Sequence, residues 1–324
     1  MKKFLIFVFF AICGVFMMAT AAPVSAARQG QEIYKFIPLI VGIGQSNMSG
    51  AYPMSAVTAL PPALPSVKML QYTNTFSWEW KNLQEPSSVW KGYAPNPETP
   101  GSETDKKHGR YGAGTQFMTR FIQIMQAQEG QSAWPRVDFL NCGFGGSSVS
   151  DWVPNVPGNY FNMCWEYISN LLDNHTLMGI VVVNGETDTK NTTYSTVYKQ
   201  NFIAMYEGIR ARIIDRPNIP LVLTKLGDTP SIINSDPPIL NTALYPQWDE
   251  IQADQVALVN MTQYKDYWNA VPAAGLPRQT DGITNPATYD LHYTKNGYDM
   301  LGNRLACSLT HILLGHLDIS CKYP

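Results

Sequence analysis

The feature that most constrains the fold of this chain is a regular alternation between short apolar runs and longer stretches with helical periodicity. The apolar runs cover residues 37–43, 137–140, 180–183 and 221–226. The helix-like stretches cover residues 114–128, 161–173, 194–214, 245–261 and 295–314. This alternation is typical of βαβ units, in which helices cover both faces of a parallel sheet. The sequence therefore predicts an α/β fold with a three-layer, doubly wound, flavodoxin-like parallel sheet.

Short segments rich in glycine and polar residues follow three of the apolar runs. Residues 44–50 read GQSNMSG, residues 141–148 read NCGFGGSS and residues 184–188 read NGETD. A fourth segment, YDLHY at residues 289–293, precedes the last helix-like stretch. Because the carboxyl ends of parallel strands meet at one edge of a sheet, we expect these four segments to converge there.

Ser46 and His292 are the reactive side chains of this predicted cluster. A serine hydroxyl becomes a nucleophile when a base takes its proton, and an imidazole can do so near neutral pH. An isolated serine in a glycine-rich turn is more often a helix cap than a nucleophile. The prediction of a catalytic serine therefore depends on the histidine and on the nearby acid, Asp290.

In this order, the four segments resemble those of the SGNH (GDSL-like) hydrolase superfamily. The resemblance is to the branch of carbohydrate esterases that includes sialate O-acetylesterases and acetylxylan esterases. The motif GQSNMxG at residues 44–50 is specific to this branch. The likeness spans about residues 37–306. It implies an SGNH-type fold and a serine esterase that works through an acyl-enzyme intermediate.

The resemblance also assigns roles to three side chains. Ser46 is expected to be the nucleophile, His292 the base, and Asp290 the acid that fixes the imidazole tautomer. Asp290 and His292 are two positions apart, whereas many superfamily members have a separation of three. Asp281 is the alternative acid.

An oxyanion hole is expected at the second and third segments. Its donors would be the backbone N–H groups of Ser46 and of Gly146 or Gly145, and the side-chain amide of Asn184. The carbohydrate esterase branch usually has glutamine where this chain has Asn184. Both are neutral amides whose NH₂ group can donate to an oxyanion, so we expect the role to be kept.

Four more side chains are expected to support the site or to contact substrate: Gln45, Asn47, Glu186 and Trp152. A supporting role is favoured for Glu186, through hydrogen bonds that hold the serine segment. Trp152 follows the second segment closely and is expected to line the pocket.

Residues 61–100 interrupt the first crossover with a Pro-rich stretch that has little periodicity, so they are predicted to form a long loop. Trp78, Trp80 and Trp90 lie in this stretch. Two interpretations are equally favoured: the tryptophans contact sugar rings, or they bury the insertion against the domain.

The N-terminus has two lysines at positions 2 and 3, an apolar run at residues 4–18 and the small-residue sequence VSA at residues 24–26. This pattern is typical of a signal peptide. We therefore predict a signal peptide at residues 1–26 and a single SGNH-type esterase domain at residues 27–324, secreted or periplasmic and without stable membrane association after cleavage. An uncleaved anchor is the alternative, since the apolar run approaches the roughly 18 residues that can span a bilayer.

Four cysteines follow the predicted signal peptide, namely Cys142, Cys164, Cys307 and Cys321. In an oxidising compartment an even number favours disulfides, and three pairings are possible. Nearness in sequence favours Cys307 with Cys321, and then Cys142 with Cys164. Free buried thiols are the alternative.

The charge pattern and the positions of possible metal ligands argue against some classes of function. The formal net charge of −2 comes without a basic stripe, which argues against nucleic acid as a partner. No metal and no cofactor are expected, because the remaining histidines are scattered: His108, His175, His311 and His316.

The leading hypothesis is a secreted serine esterase that removes O-acetyl groups from carbohydrates, either sialic acid or xylan-type glycans. One alternative is a lipase- or thioesterase-like SGNH hydrolase. It is disfavoured by the GQSN motif and by the lack of a long apolar lid. Another is a non-catalytic carbohydrate-binding relative, which the presence of serine, amide, acid and histidine together disfavours. The particular sugar and the oligomeric state are left open.

Overall fold

The structure is a computed structural model that describes residues 36–53, 64–72, 78–83, 110–156, 159–232, 239–240, 242–279 and 290–315. The predicted signal peptide and Asp281 lie outside these residues. No helix within the described ranges is both long and apolar enough to cross a membrane.

The strands are β1 Ile37–Gly44, β2 Tyr52–Pro53, β3 Leu64–Tyr72, β4 Trp78–Leu83, β5 Arg110–Tyr111, β6 Val137–Gly143, β7 His175–Val183, β8 Leu221–Lys225, β9 Ser231–Ile232, β10 Ile239–Leu240 and β11 Trp268–Pro272. The helices are α1 Ser46–Ser49, α2 Ala113–Glu129, α3 Tyr160–Leu171, α4 Thr192–Arg210, α5 Trp248–Val259 and α6 Lys295–Leu313, with 3₁₀ turns at Val149–Trp152 and Asp188–Lys190.

The main sheet has seven strands in the order β11-β8-β7-β1-β6-β3-β4. All neighbours in it pair in parallel except β3 and β4, which are antiparallel. Without β3 and β4, the order β6-β1-β7-β8-β11 is the flavodoxin-like order 2-1-3-4-5. The predicted α/β, doubly wound fold is confirmed. Its switch point lies at β1, because the next strand of the parallel order, β6, pairs on one side of β1 and the following one, β7, pairs on the other.

The helices form the two outer layers because successive side chains of a strand point to opposite faces. Ile40 of β1 joins a core cluster with Phe117 of α2 and Leu305 of α6. Leu39, one position earlier, joins a second cluster with residues of α3, α4 and α5. Apolar side chains on both faces explain why β1 reads as a continuous apolar run.

The α2 and α6 helices approach each other closely at Gly302. A Cβ atom at this position would lie 2.6 Å from the backbone nitrogen of Phe117 and 2.7 Å from the carbonyl oxygen of Ala113. Because backbone atoms of α2 occupy that space, a side chain there would push the two helices apart. The helix that follows His292 is therefore fixed to α2, the first long helix of the chain.

The predicted loop at residues 61–100 is wrong in part, because it contains β3 and β4. These strands extend the sheet beyond β6. Trp80 of β4 stacks on His175 with ring centroids 5.5 Å apart, at the amino end of β7 and away from the serine segment. This contact favours the interpretation in which Trp80 buries the insertion, while Trp90 lies outside the described residues.

A charged cluster lies at the same amino edge of the sheet. Asp138 has no solvent exposure and accepts two hydrogen bonds of 2.6 Å from Arg136. His175 contacts the Asp138 carboxylate through Nε2 at 2.8 Å and the Leu171 carbonyl oxygen through Nδ1 at 2.9 Å. His175 thus links β7 both to the end of α3 and to the buried carboxylate of β6.

A disulfide joins Cys142 of β6 to Cys164 of α3. This confirms one of the two favoured pairings and overturns the alternative of free thiols at these two positions. Cys307 is also disulfide-bonded, and its predicted partner Cys321 lies outside the described residues. The bond between Cys142 and Cys164 anchors β6, the strand that leads into the second glycine-rich segment.

Candidate active site

β1 ends at Gly44, which is also the first residue of the serine segment. Gly44 has φ +146°, and a Cβ atom there would lie 2.0 Å from the carbonyl oxygen of Val183. Only glycine allows this approach, after which the Gln45 N–H donates to the same carbonyl at 3.0 Å. The chain then turns into α1, and its first residue, Ser46, is partly exposed at the carboxyl edge of the sheet.

His292 faces the serine directly. Its Nε2 atom lies 2.9 Å from Ser46 Oγ, although the two residues are 246 positions apart in sequence. This is the hydrogen-bond distance that a nucleophile and its base require. The sequence prediction that the first and last segments converge is therefore reproduced in space.

A short antiparallel ribbon fixes the backbone around His292. The Gln279 N–H donates to the His292 carbonyl at 2.8 Å, and the Thr294 N–H donates to the Pro277 carbonyl at 2.9 Å. Thr294 also caps α6, because its hydroxyl accepts the Gly297 N–H at 3.2 Å. The imidazole is thus held between a ribbon and a helix start.

Asp290 lies beside this ribbon and is half-buried. Its carboxylate accepts the Ser231 N–H and lies 3.9 Å from the Arg278 guanidinium, while its own N–H donates to the Ser231 carbonyl at 3.2 Å. Burial raises the pKa of Asp290, against the opposing effects of these partners. Its role as the acid that orients His292 stays a prediction, as does the alternative, Asp281, which lies outside the described residues.

The second segment forms an open loop at the end of β6. Gly145 and Gly146 are exposed, and no atom lies within 4 Å of a Cβ built on either. Gly146 has φ +78°, in the left-handed region that favours glycine. The loop is tied to the serine strand, because the Phe144 N–H donates to the Gly44 carbonyl at 2.7 Å.

Asn184 follows β7 and is 3% exposed. Its Nδ2 atom donates to the Ser147 carbonyl at 3.3 Å, which connects the third segment to the glycine loop. An amide nitrogen carries two N–H groups, so one remains for a developing oxyanion. Its Oδ1 atom is buried without a hydrogen-bond partner among the described residues.

Two buried acids follow Asn184, and each holds a different segment. Glu186 is 3% exposed, and its Oε1 atom accepts a 2.6 Å hydrogen bond from Asn47, next to the serine. Asp188 is fully buried and accepts the Val149 N–H at 3.0 Å, beyond the glycine loop. Burial raises the pKa of both carboxyls, and for Asp188 the raise is large.

Gln45 and Trp152 also connect segments. The Gln45 side chain is 1% exposed and accepts the Thr187 N–H at 3.2 Å. Trp152 is 1% exposed and donates through its indole nitrogen to Ser147 Oγ at 3.1 Å. The predicted lining of the pocket by Trp152 stays a prediction, but its burial fits a residue that supports the glycine loop from beneath.

Tyr298 and Arg278 also belong to this region, although sequence reasoning did not single them out. Tyr298 donates to the Asn47 side chain at 2.8 Å, and Arg278 lies near Asp290. The only local signal for Tyr298 is its place one helical turn after the Thr294 cap, a pattern shared by many buried tyrosines. Within the described ranges, no group of three or more histidine, cysteine or acidic side chains is arranged to hold a metal ion.

The strand order and the position of the serine segment define the fold as that of an SGNH-type α/β hydrolase. A model of the family described as carbohydrate esterase, sialic acid-specific acetylesterase (SASA) matches residues 37–311. The chain therefore belongs to this family, whose members remove O-acetyl groups from carbohydrates. A comparison with curated protein sequences found no match.

Solved structures show the same fold. A protein from Arabidopsis thaliana matches with a TM-score of 0.60 at 17% identity, over 85% of this chain and 98% of that one. A carbohydrate acetylesterase from Xanthomonas citri matches with a TM-score of 0.55 at 18% identity, over 86% of this chain and 56% of that one. NanS matches with a TM-score of 0.55 at 13% identity, over 86% and 97%. At these identities, the likeness concerns the fold alone.

Proposed function

We propose that this protein is a secreted carbohydrate O-acetylesterase that cleaves its substrate through an acyl-enzyme on Ser46. The observation that carries the proposal is the 2.9 Å distance between Ser46 Oγ and His292 Nε2 at the switch point of the sheet. Ligands of open α/β sheets bind at this edge. Membership of the carbohydrate esterase family supplies the substrate class.

The chemistry follows from these atoms. His292 takes the Ser46 proton as the hydroxyl oxygen attacks the acetyl carbonyl, and negative charge develops on the carbonyl oxygen. The N–H of Ser46, the N–H of Gly145 or Gly146, and the Asn184 amide donate to that oxygen. Losing one such donor typically costs about 2.7–4 kcal/mol of barrier.

Collapse of the tetrahedral intermediate breaks the ester bond, and His292 returns its proton to the sugar hydroxyl that leaves. Water then attacks the acetyl-enzyme with His292 again as the base, which releases acetate and restores Ser46. Asp290 is assigned to stabilise the imidazolium that forms in each half of the cycle. Sialic acid and xylan-type glycans are the proposed acetyl carriers.

The direct test is Ser46→Ala assayed on aryl acetate, acetylated xylan and O-acetylated sialosides. We expect the variant to fold normally and to lose turnover on every substrate, because it lacks only the attacking oxygen. Ser49→Ala is the matched control in the same short helix, since its hydroxyl bonds the Ser46 carbonyl at 3.3 Å and the Gly50 N–H already occupies that acceptor. Substantial turnover by a folded Ser46→Ala protein would refute the serine mechanism.

Two further comparisons refine the proposal. Aryl acetate should be cleaved much faster than aryl octanoate, and equal rates would favour a lipase-like activity instead. Asp290→Asn should lower kcat by up to about 10⁴-fold, because an amide can hold the wrong imidazole tautomer. If Asp281→Asn is the crippled variant and Asp290→Asn is nearly normal, then Asp281 is the acid.

A further inference from the structure

We propose that Tyr298 is a positioning residue for the reaction: through Asn47 and Tyr293, it holds the Ser46 turn and the His292 segment at their working separation. The inference rests on the proposed serine mechanism. It concerns a side chain that does not touch the substrate and that acts on both halves of the serine–histidine pair.

Asn47 is the first part of this arrangement. It directly follows Ser46, has no solvent exposure, and its carboxamide contacts three separate parts of the chain. Oδ1 accepts the Tyr298 hydroxyl at 2.8 Å, while Nδ2 donates to Glu186 Oε1 at 2.6 Å and approaches the Leu291 carbonyl at 3.5 Å. One small side chain therefore links the residue after the nucleophile to the residue before the base.

Tyr298 makes the second link through its ring. The ring packs edge-to-face on Tyr293, with centroids 5.6 Å apart and an interplanar angle of 86°. Tyr293 directly follows His292 and is 2% exposed. The hydroxyl of Tyr298 thus fixes the neighbour of the nucleophile, and its ring fixes the neighbour of the base.

The hydrogen-bond roles leave one arrangement for the Asn47 amide. Glu186 and the Leu291 carbonyl are acceptors, so Nδ2 faces them and Oδ1 needs a donor on the other side. Tyr298 supplies that donor from a site with no solvent exposure. Burial raises the pKa of Tyr298 well above its ordinary value, so the hydroxyl keeps its proton.

The Tyr298→Phe variant separates the two links, because it keeps the ring contact and removes the hydroxyl. Asn47 Oδ1 then loses its Tyr298 donor, and the amide can shift away from Glu186 and Leu291. We expect a looser Ser46–His292 geometry and slower proton transfer, with kcat reduced about tenfold, which corresponds to about 1.4 kcal/mol of barrier. The KM for a small ester should stay within about twofold, since the buried ring does not reach substrate.

The matched control is Tyr206→Phe. Tyr206 is also fully buried, and its hydroxyl donates to the Ile219 carbonyl at 3.0 Å and accepts the Ile219 N–H at 3.1 Å, but it lies in the other core cluster. Both variants lose one buried tyrosine hydroxyl, so both should lose thermal stability. Only Tyr298→Phe should lose kcat.

The experiment measures kcat and KM on aryl acetate, the Tm, and the rate at which a serine-directed phosphonate labels Ser46. Tyr298→Phe should label about tenfold more slowly than wild type, and Tyr206→Phe at the wild-type rate. The proposal is overturned if Tyr298→Phe keeps the wild-type kcat and labelling rate, or if both variants lose activity in parallel with Tm. Should Tyr298→Phe be too unstable to assay, Asn47→Ala removes the acceptor of the same hydrogen bond, and a wild-type kcat in it overturns the proposal equally.

Ser46→Ala in the same assay separates the two proposals. If Ser46→Ala retains turnover and the phosphonate fails to label Ser46 in wild type, the serine mechanism itself fails. If Ser46→Ala is inactive and wild type is labelled, but Tyr298→Phe behaves as wild type, only the positioning role of Tyr298 fails.

Discussion

Removing the disulfide between Cys142 and Cys164 should destabilise the folded protein by an amount that its loop length sets. The bond closes a loop with a sequence separation of 22 and so restricts the unfolded chain. The loop-entropy relation gives about 3.4 kcal/mol at 25 °C for a loop of this size. For the 220 residues that the structure describes, that loss lowers Tm by about 7 °C.

The assay compares urea unfolding of wild type, Cys142→Ala and the Cys142→Ala/Cys164→Ala double variant. Substitution is needed instead of reductant, because Cys307 is also disulfide-bonded and would be reduced as well. Either variant breaks the cross-link, so most of the loss should already be present in Cys142→Ala, and the second substitution should add only a packing term. A wild-type free energy of unfolding in Cys142→Ala, or a loss below about 1 kcal/mol in the double variant, would refute the loop-entropy account.

Three further outcomes follow from features described above. Asp138→Asn should cost about 1.5–3 kcal/mol of unfolding free energy, because the buried carboxylate accepts two hydrogen bonds from Arg136 and an amide offers only one acceptor oxygen; a loss below about 0.5 kcal/mol in urea unfolding would contradict this. Burial raises the pKa of Asp188, so wild type loses stability as pH rises from about 4, the unfolded value, through the raised folded value. Asparagine does not titrate, so the Tm of Asp188→Asn relative to wild type should increase between pH 4 and pH 8, and a pH-independent difference would contradict it. Gly146→Ala should cost about 1–2 kcal/mol for its left-handed backbone, while Gly145→Ala should be nearly neutral in the same unfolding assay; equal effects would contradict the assignment of strain to Gly146 alone.

The interior of the sheet could be predicted from sequence because β1, β6, β7 and β8 are covered on both faces and therefore read as continuous apolar runs. The edge strands could not be predicted in this way. Only two of the five positions of β11 are buried, and β4 pairs on one side in a Pro-rich stretch, so neither carries an apolar run. Helix positions were predicted to within a few residues, as for α3 at Tyr160–Leu171 against the predicted 161–173.

The meeting of Ser46 and His292 was predictable because strand ends converge and the motif wording is specific. Asn47 and Glu186 were expected to support the serine segment, but the contact of Asn47 with the last helix could not be predicted. Asn47 and Tyr298 are 251 positions apart, and nothing near either residue indicates its partner. Likewise, the burial of Trp152 could not be predicted from its place after the glycine loop, because it depends on how the Val149–Trp152 turn packs against α4.

Ser46 and His292 are 246 residues apart, so under the proposed mechanism only a nearly full-length chain carries both reactive side chains. A fragment that ends at β8 would contain the serine and most of the sheet, but it would lack His292. Such a fragment should therefore be inactive towards esters, and proteolysis between β8 and α6 would separate the proposed nucleophile from its proposed base.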